Sequence, residues 1–375
     1  MKHYGKYLSA VLLLMVLLFP VLYASAQTDR EEKIKEAKKH FSFAVQYKNA
    51  KKYDEASEQY IKSIALYDSI FNVHYSYGDL LIMMEKKKEA RREFVKSLML
   101  NPEHYNSALQ LSRLYYENGN FDSTMVMYEL MYKLEPENNK LLATIAGLKE
   151  YLGDIEGALN DFIKLIDAGE DSYDNLMRAS SLAQKQDKMS TALKYATMAL
   201  EKKPGDSEAL KIASHTSESL EQLDTAALFY RQRAEKDSTT ESTFVQLEDI
   251  YRKLFDRKNL LWALERHHKI APEDMDILGE LCELLYAESM MDKCVQYVKK
   301  GLILDPGDGR FRILFGENFR AQGQNDKALE QYKLALKDEK WNSSAQRLIN
   351  LIEKPETEEE KVERDFFNRG KKEIR

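Results

Sequence analysis

The 375 residues suffice for two or three ordinary domains or for one long repeat array. With 56 basic against 62 acidic residues the formal charge is −6, and a mildly acidic chain is a poor partner for nucleic acid or for anionic membrane surfaces. The longest basic run, Lys86, Lys87 and Lys88 with Arg91 and Arg92, alternates with Glu85, Glu89 and Glu93 and reads as the solvated face of a helix.

The chain opens MKHYGKYLSAVLLLMVLLFPVLYASAQ. Lys2 and Lys6 form a positive start, Leu8 to Phe19 is an apolar run, Pro20 breaks it, and Ala24-Ser25-Ala26 supplies small residues ahead of Gln27. This is the layout of a secretory signal cleaved after Ala26. The alternative is an anchor left uncleaved, but the run is short of the ~20 residues that a spanning helix needs. No cysteine lies near the site, which excludes a lipid-anchored lipoprotein. Loss of residues 1–26 removes two lysines and no acid, leaving 54 basic against 62 acidic residues and a charge of −8. No comparable apolar run follows, so no transmembrane segment is expected after cleavage. The expected location is the periplasm or outer envelope of a Gram-negative bacterium.

After residues 27–36, a short lead-in, a repeat begins that the prolines reveal. Pro102, Pro136, Pro204, Pro272 and Pro306 are separated by 34, 68, 68 and 34 residues, and a period of this size is the mark of a stacked array. Placing each proline at position 32 gives nine units, over residues 37–342, that start at 37, 71, 105, 139, 173, 207, 241, 275 and 309. Position 8 is then Ala44, Gly78, Ser112, Ala146, Ser180, Ser214, Glu248, Cys282 and Gly316. Position 20 is Ala56, Ala90, Thr124, Ala158, Ala192, Ala226, Leu260, Cys294 and Ala328. Position 24 is mostly large, with Tyr60, Phe94, Tyr128, Phe162, Tyr230 and Tyr332 among its members. Apolar residues recur at helical spacing between these columns, and a breaker such as Gly119, Gly153, Asp187 or Gly323 falls near position 15. Each unit is therefore helix, tight turn, helix, with the proline ending the second helix. The small columns mark a close crossing of the paired helices.

These columns resemble the tetratricopeptide repeat (TPR) family, best in FNVHYSYGDLLIMMEKKKEARREFVKSLMLNPEH and YNSALQLSRLYYENGNFDSTMVMYELMYKLEPEN, repeats two and three. The resemblance implies an all-α, right-handed solenoid of nine helix-turn-helix repeats. Most units lack the family's large residue at position 4. Repeat seven, with Glu248 and Leu260 in both small columns, departs furthest, and a widened crossing is expected there. Residues 343–354 are expected to cap the array, and residues 355–375 form a charged tail. In it Thr357 and Glu360 make a capping box, and Val362, Phe366 and Phe367 share a face.

The resemblance also implies a function. In TPR proteins the first helices line the concave face and present positions 2, 5, 9, 12 and 13. Mapped here, the early repeats offer Phe41, Val45, Tyr75, Ile82, Met83, Leu109, Arg113, Tyr116 and Tyr151, and the later ones mainly charged groups such as Arg252, Glu283, Arg310, Glu317 and Arg320. About a third of the apolar set is expected to pack against the next repeat. The Asn at position 9 that clamps a peptide carboxylate in chaperone-tail TPRs is absent. The implied activity is a non-catalytic scaffold that binds a protein or peptide, with an accessory part in an envelope assembly or secretion machine as a more concrete alternative. An enzyme or glycan-binding protein is the weaker reading, since there is no HExxH, GxSxG or Walker-type motif. No cofactor or metal is expected, and His267-His268 is a poor metal pair because adjacent helical side chains diverge by about 100°.

The remaining feature is the pair Cys282 and Cys294, at positions 8 and 20 of repeat eight. The hairpin brings the two columns together, and an exported protein meets a compartment where disulfides persist. Two readings remain, a disulfide pinning helix to helix or two buried thiols. Geometry and compartment favour the bridge.

Overall fold

In a computed structural model of the chain, residues 27–353 are described. The expected signal segment, the Thr357–Glu360 box and the Val362, Phe366 and Phe367 face lie outside them. Among the described residues there are nineteen helices and no strand. Helix α1 covers 27–49, so the expected lead-in is part of the first helix and not a separate segment. The further first helices are α3 (Phe71–Met83), α5 (Tyr105–Glu117), α7 (Asn139–Leu152), α9 (Tyr173–Lys185), α11 (Ser207–Ser219), α13 (Glu241–Lys253), α15 (Met275–Ala287) and α17 (Gly309–Ala321). The second helices are α2 (Tyr53–Leu66), α4 (Lys87–Leu100), α6 (Phe121–Leu134), α8 (Ile155–Asp167), α10 (Met189–Lys202), α12 (Leu223–Lys236), α14 (Arg257–Ile270), α16 (Met291–Leu304) and α18 (Asn325–Ala335). Helix α19 (Asn342–Glu353) rests on α17 and α18.

The turn inside each hairpin is the same nine times. Lys51, Glu85, Gly119, Gly153, Asp187, Glu221, Phe255, Ser289 and Gly323, all at position 15, have φ between 55° and 84°. The next N–H bonds back to the carbonyl five residues earlier, as Lys52 to Tyr47 (2.9 Å), Asn120 to Tyr115 (2.9 Å), Asp256 to Tyr251 (3.0 Å) and Gln324 to Phe319 (2.9 Å). This left-handed closure satisfies a carbonyl that the helix end leaves orphaned. A backbone rule holds the column, so only three of its nine members need be glycine. Position 34 does the matching work at the start of the following first helix. The side chains of Asn138, Ser172, Asp206, Asp274 and Asp308 accept from first-turn N–H groups of α7, α9, α11, α15 and α17.

The described residues up to Asp171 form one compact unit and those from Ser172 a second. The division falls between repeats four and five, where position 32 is Glu170. In the first unit three clusters of buried residues follow one another, around Tyr60 and Val73, around Phe94 and Leu111, and around Met131 and Ile145. In the second, one cluster runs from Ala226 to Leu314 across α12 to α17, and a smaller one joins Tyr332 to Ile349 of α19. Each fully buried ring, such as Tyr60, Phe94, Phe311 or Tyr332, contributes about 1.5–3 kcal/mol by leaving water.

Repeat seven accommodates its two large residues by pairing one of them. Glu248 is 4% exposed, and its carboxylate accepts at 2.9 Å from Nδ1 of His267, itself 3% exposed. Burial pushes the Glu248 pKa up, against the pull of His267 and Arg252. The crossing there is filled by a buried acid–imidazole pair.

Candidate partner-binding cleft

An aromatic opening lies in the first unit, where α5, α6 and α7 meet. A cleft of about 370 Å³ is lined by Tyr116, Phe121, Tyr128, Thr144, Gly147, Leu148 and Tyr151. The hairpin turn places Tyr116, near the end of α5, beside Phe121 at the start of α6, and the following hairpin brings up Tyr151 at the end of α7. Phe121 stands edge-on to both tyrosines, with ring centroids 5.5 Å from Tyr116 and 5.1 Å from Tyr151 and interplanar angles of 72° and 69°. Such edge-to-face contacts fix ring positions without covering ring faces. Tyr116 remains 55% and Tyr151 71% exposed. No charged group is among the seven lining residues. Burial raises the pKa of Tyr128, with Tyr116 adding to it and Arg113 opposing it, so that phenol is a neutral hydrogen-bond donor at neutral pH. Arg113 is exposed and makes no ion pair among the described residues.

The sequence-based groove set divides into two groups. Phe41 lies against Tyr60 at 6.1 Å, and Tyr75 lies between Phe94 (5.8 Å) and His104 (4.9 Å). Ile82 packs on the Phe94 cluster and Leu109 on the Met131 cluster. These four are half-buried: Phe41 and Tyr75 pack within their own repeats, and Ile82 and Leu109 join clusters that reach into the next. Met83, Arg113, Tyr116 and Tyr151 face solvent, and the two tyrosines share the cleft. Sequence reasoning missed Phe121, Tyr128, Thr144, Gly147 and Leu148. An aromatic at position 17 next to a ring at position 12 was the available signal for Phe121. Tyr128 sits in the column read as packing residues, yet it is only partly buried.

The helix crossings carry the clearest signature of the architecture. Position 8 touches position 20: Ser180 Oγ donates to the Ala192 carbonyl at 2.8 Å, and Cys294 Sγ to the Cys282 carbonyl at 3.4 Å. The ring at position 24 covers position 8. A Cβ on Gly78 would stand 2.8 Å from Phe94, and one on Gly316 would be closer still to Tyr332. Helix pairs closed this way at a 34-residue period define the fold. The chain has the tetratricopeptide-repeat fold. Similar solved structures include a TPR protein from Parabacteroides merdae, 15% identical, with a TM-score of 0.35 over 66% of this chain and 98% of that one. YrrB, described as a TPR protein with an unusual peptide-binding site, is 20% identical, with a TM-score of 0.34 over 50% of this chain and 97% of that one. The TPR domain of P58(IPK) is 14% identical, with a TM-score of 0.30 over 85% of this chain and 99% of that one. No family model and no curated protein matches the chain.

In the second TPR unit the first helices present charge, and much of that charge is already paired. Arg252 grips Glu280 with two bonds of 2.7 Å, and Arg310 donates to Glu283 at 2.7 Å. Glu317 accepts from Arg320 (2.7 Å), Tyr286 (2.6 Å) and Tyr332 (2.6 Å). Burial opposes its charge, but these three donors together hold its pKa below the usual carboxylate range. Cys282 and Cys294 are both buried and are free thiols here, not the bridge favoured from sequence. The Cys294 thiol and burial push the Cys282 thiol up, and a buried protonated thiol is inert to exchange. His267 and His268 diverge, the first to Glu248 and the second edge-on to Tyr297 at 5.4 Å. Among the described residues no cluster of three His, Cys, Asp or Glu is placed to hold a metal ion, and no helix is long and apolar enough to cross a membrane.

Proposed function

We propose that the chain is a non-catalytic scaffold of the cell envelope that binds an extended segment of another protein, with the Tyr116–Phe121–Tyr151 cleft as its anchor site. The observation that carries this reading is the exposure of two tyrosines held by a shared phenylalanine around an uncharged cleft. Rigid aromatic rings with open faces and a polar tip are the groups that dominate partner binding. Ion pairing already engages many of the charged groups of the second unit, which leaves the first unit with the more available recognition surface. The N-terminal layout supports the export part of this reading, with Lys2, Lys6, the 8–19 apolar run and Ala24-Ser25-Ala26 in the order of a cleaved signal. An open cleft without a charged lining residue supports binding over chemistry.

The test is affinity capture from a detergent-solubilised envelope extract, with the mature chain and its Tyr116→Ser/Tyr151→Ser variant as baits. Loss of two aromatic anchors costs at least about 2 kcal/mol, roughly thirtyfold in Kd. The partner recovered by the parent is expected to disappear from the variant, whose helicity stays unchanged. Equal recovery by both baits would remove the cleft from the account.

A further inference from the structure

A second recess lies in the other unit and is of opposite chemistry. Glu208, Lys211, Arg233, Lys236, Asp237 and Thr243 line a recess of about 180 Å³ between α11, α12 and the start of α13. Three cations reach it from two helices. Lys211 has only a loose contact with Glu208, at 3.7 Å. Arg233 is steadied from behind, donating to Ser214 Oγ at 3.0 Å and lying over the Tyr230 ring at 5.4 Å. Lys236 donates to the Gly205 carbonyl, which occupies one of its three protons.

Two carboxylates share the pocket, and the three cations outnumber them. Asp237 is engaged by the Thr239 N–H (3.0 Å) and by the hydroxyls of Thr239 (2.7 Å) and Thr240 (2.6 Å). Glu208 is largely exposed at the rim. The third wall is the N-terminus of the 13-residue helix α13, which no side chain caps because the Thr240 hydroxyl is spent on Asp237. Uncapped first-turn N–H groups attract negative charge. The deciding residue is Thr243. It is 3% exposed, lines the pocket, and its hydroxyl makes no hydrogen bond among the described residues. Its hydroxyl is therefore available to a ligand in the pocket, as donor or acceptor.

We propose that this pocket binds a phosphoryl group, as free phosphate or as the head of a small phosphomonoester. Donors arranged on three sides match a tetrahedral oxyanion, whereas a carboxylate offers two oxygens in one plane. The volume lies below the ~300–1,000 Å³ of sites for drug-sized ligands and suits the phosphoryl head alone.

The experiment is isothermal titration of the purified mature chain, at constant ionic strength in chloride, with inorganic phosphate, phosphoserine or acetate. Saturable one-to-one binding of phosphate or phosphoserine, without binding of acetate, is expected. Lys211→Gln and Thr243→Val should each weaken it by about tenfold or more, as expected for loss of a hydrogen bond to a charged group or of a buried donor. Tighter binding of phosphoserine identifies an esterified ligand, and tighter binding of phosphate identifies the free ion. The absence of saturable binding by both, or affinity unchanged in both variants, would overturn the proposal. Lys211 is largely exposed and its replacement leaves the fold intact, so that variant decides the matter even if Thr243→Val folds poorly.

Discussion

Gly316→Ala separates packing from helix propensity at a crossing. In an isolated helix the change is favourable by about 0.8–1 kcal/mol. Here the new methyl would enter the Tyr332 ring. That ring is 0% exposed, and its hydroxyl is held at 2.6 Å by Glu317, which also binds Tyr286 and Arg320. Neither end of Tyr332 is free to yield, so overpacking of about 1–3 kcal/mol outweighs the propensity gain. Gly78→Ala meets Phe94 at 2.8 Å, and Phe94 has no hydroxyl to tether it, so the loss there should be smaller. Urea unfolding followed by far-UV circular dichroism reads the difference, provided the slope m is unchanged. Local hydrogen exchange in α17 and α18 guards against unit-by-unit melting of a repeat array. Stabilisation of both variants by the propensity increment would refute the claim that crossing geometry holds the small column.

Glu248→Ala alone should cost about 1–3 kcal/mol by leaving His267 buried without its acceptor, and adding His267→Leu should recover most of that loss; a double-mutant cycle by urea unfolding measures it. His74 donates to Glu93 at 2.7 Å and lies 3.0 Å from Asp68, which Lys96 also contacts. Burial opposes its charge, yet Glu93 and Asp68 hold its pKa above the ordinary value. Its contribution to stability is then fully present below about pH 6.5 and lost as pH rises through the higher folded value. Thermal melts across that window should show this slope in the parent and not in His74→Gln. Cys282 and Cys294 should resist thiol reagents in the native protein, and both should react after unfolding without reductant. No reactive thiol at that stage would establish the bridge.

The parts of this fold visible in sequence are those that a backbone rule repeats. First helices begin at 71, 105, 139, 173, 207, 241, 275 and 309, where the proline frame opens its units, because left-handed turns and close crossings constrain single columns at a fixed spacing. Side-chain direction is not constrained in this way. Tyr75 and Leu109 occupy groove positions of the frame yet pack against the rings and clusters beside them, while Phe121 opens α6 and completes the cleft. The pairing of Arg252 with Glu280, 28 residues on, depends on how adjacent hairpins stack. Periodicity also runs unbroken through the division at Asp171, since a single altered residue at position 32 leaves the count of 34 intact.

Site-specific photo-crosslinking in envelope-bearing cells tests the binding account most directly. A photoreactive side chain at position 116 or 151 is expected to trap one defined protein partner, and the same group at the exposed Glu129 of α6 is not. Equal trapping at all three positions, or a partner trapped only at Glu129, would contradict the assignment of the cleft as the recognition surface.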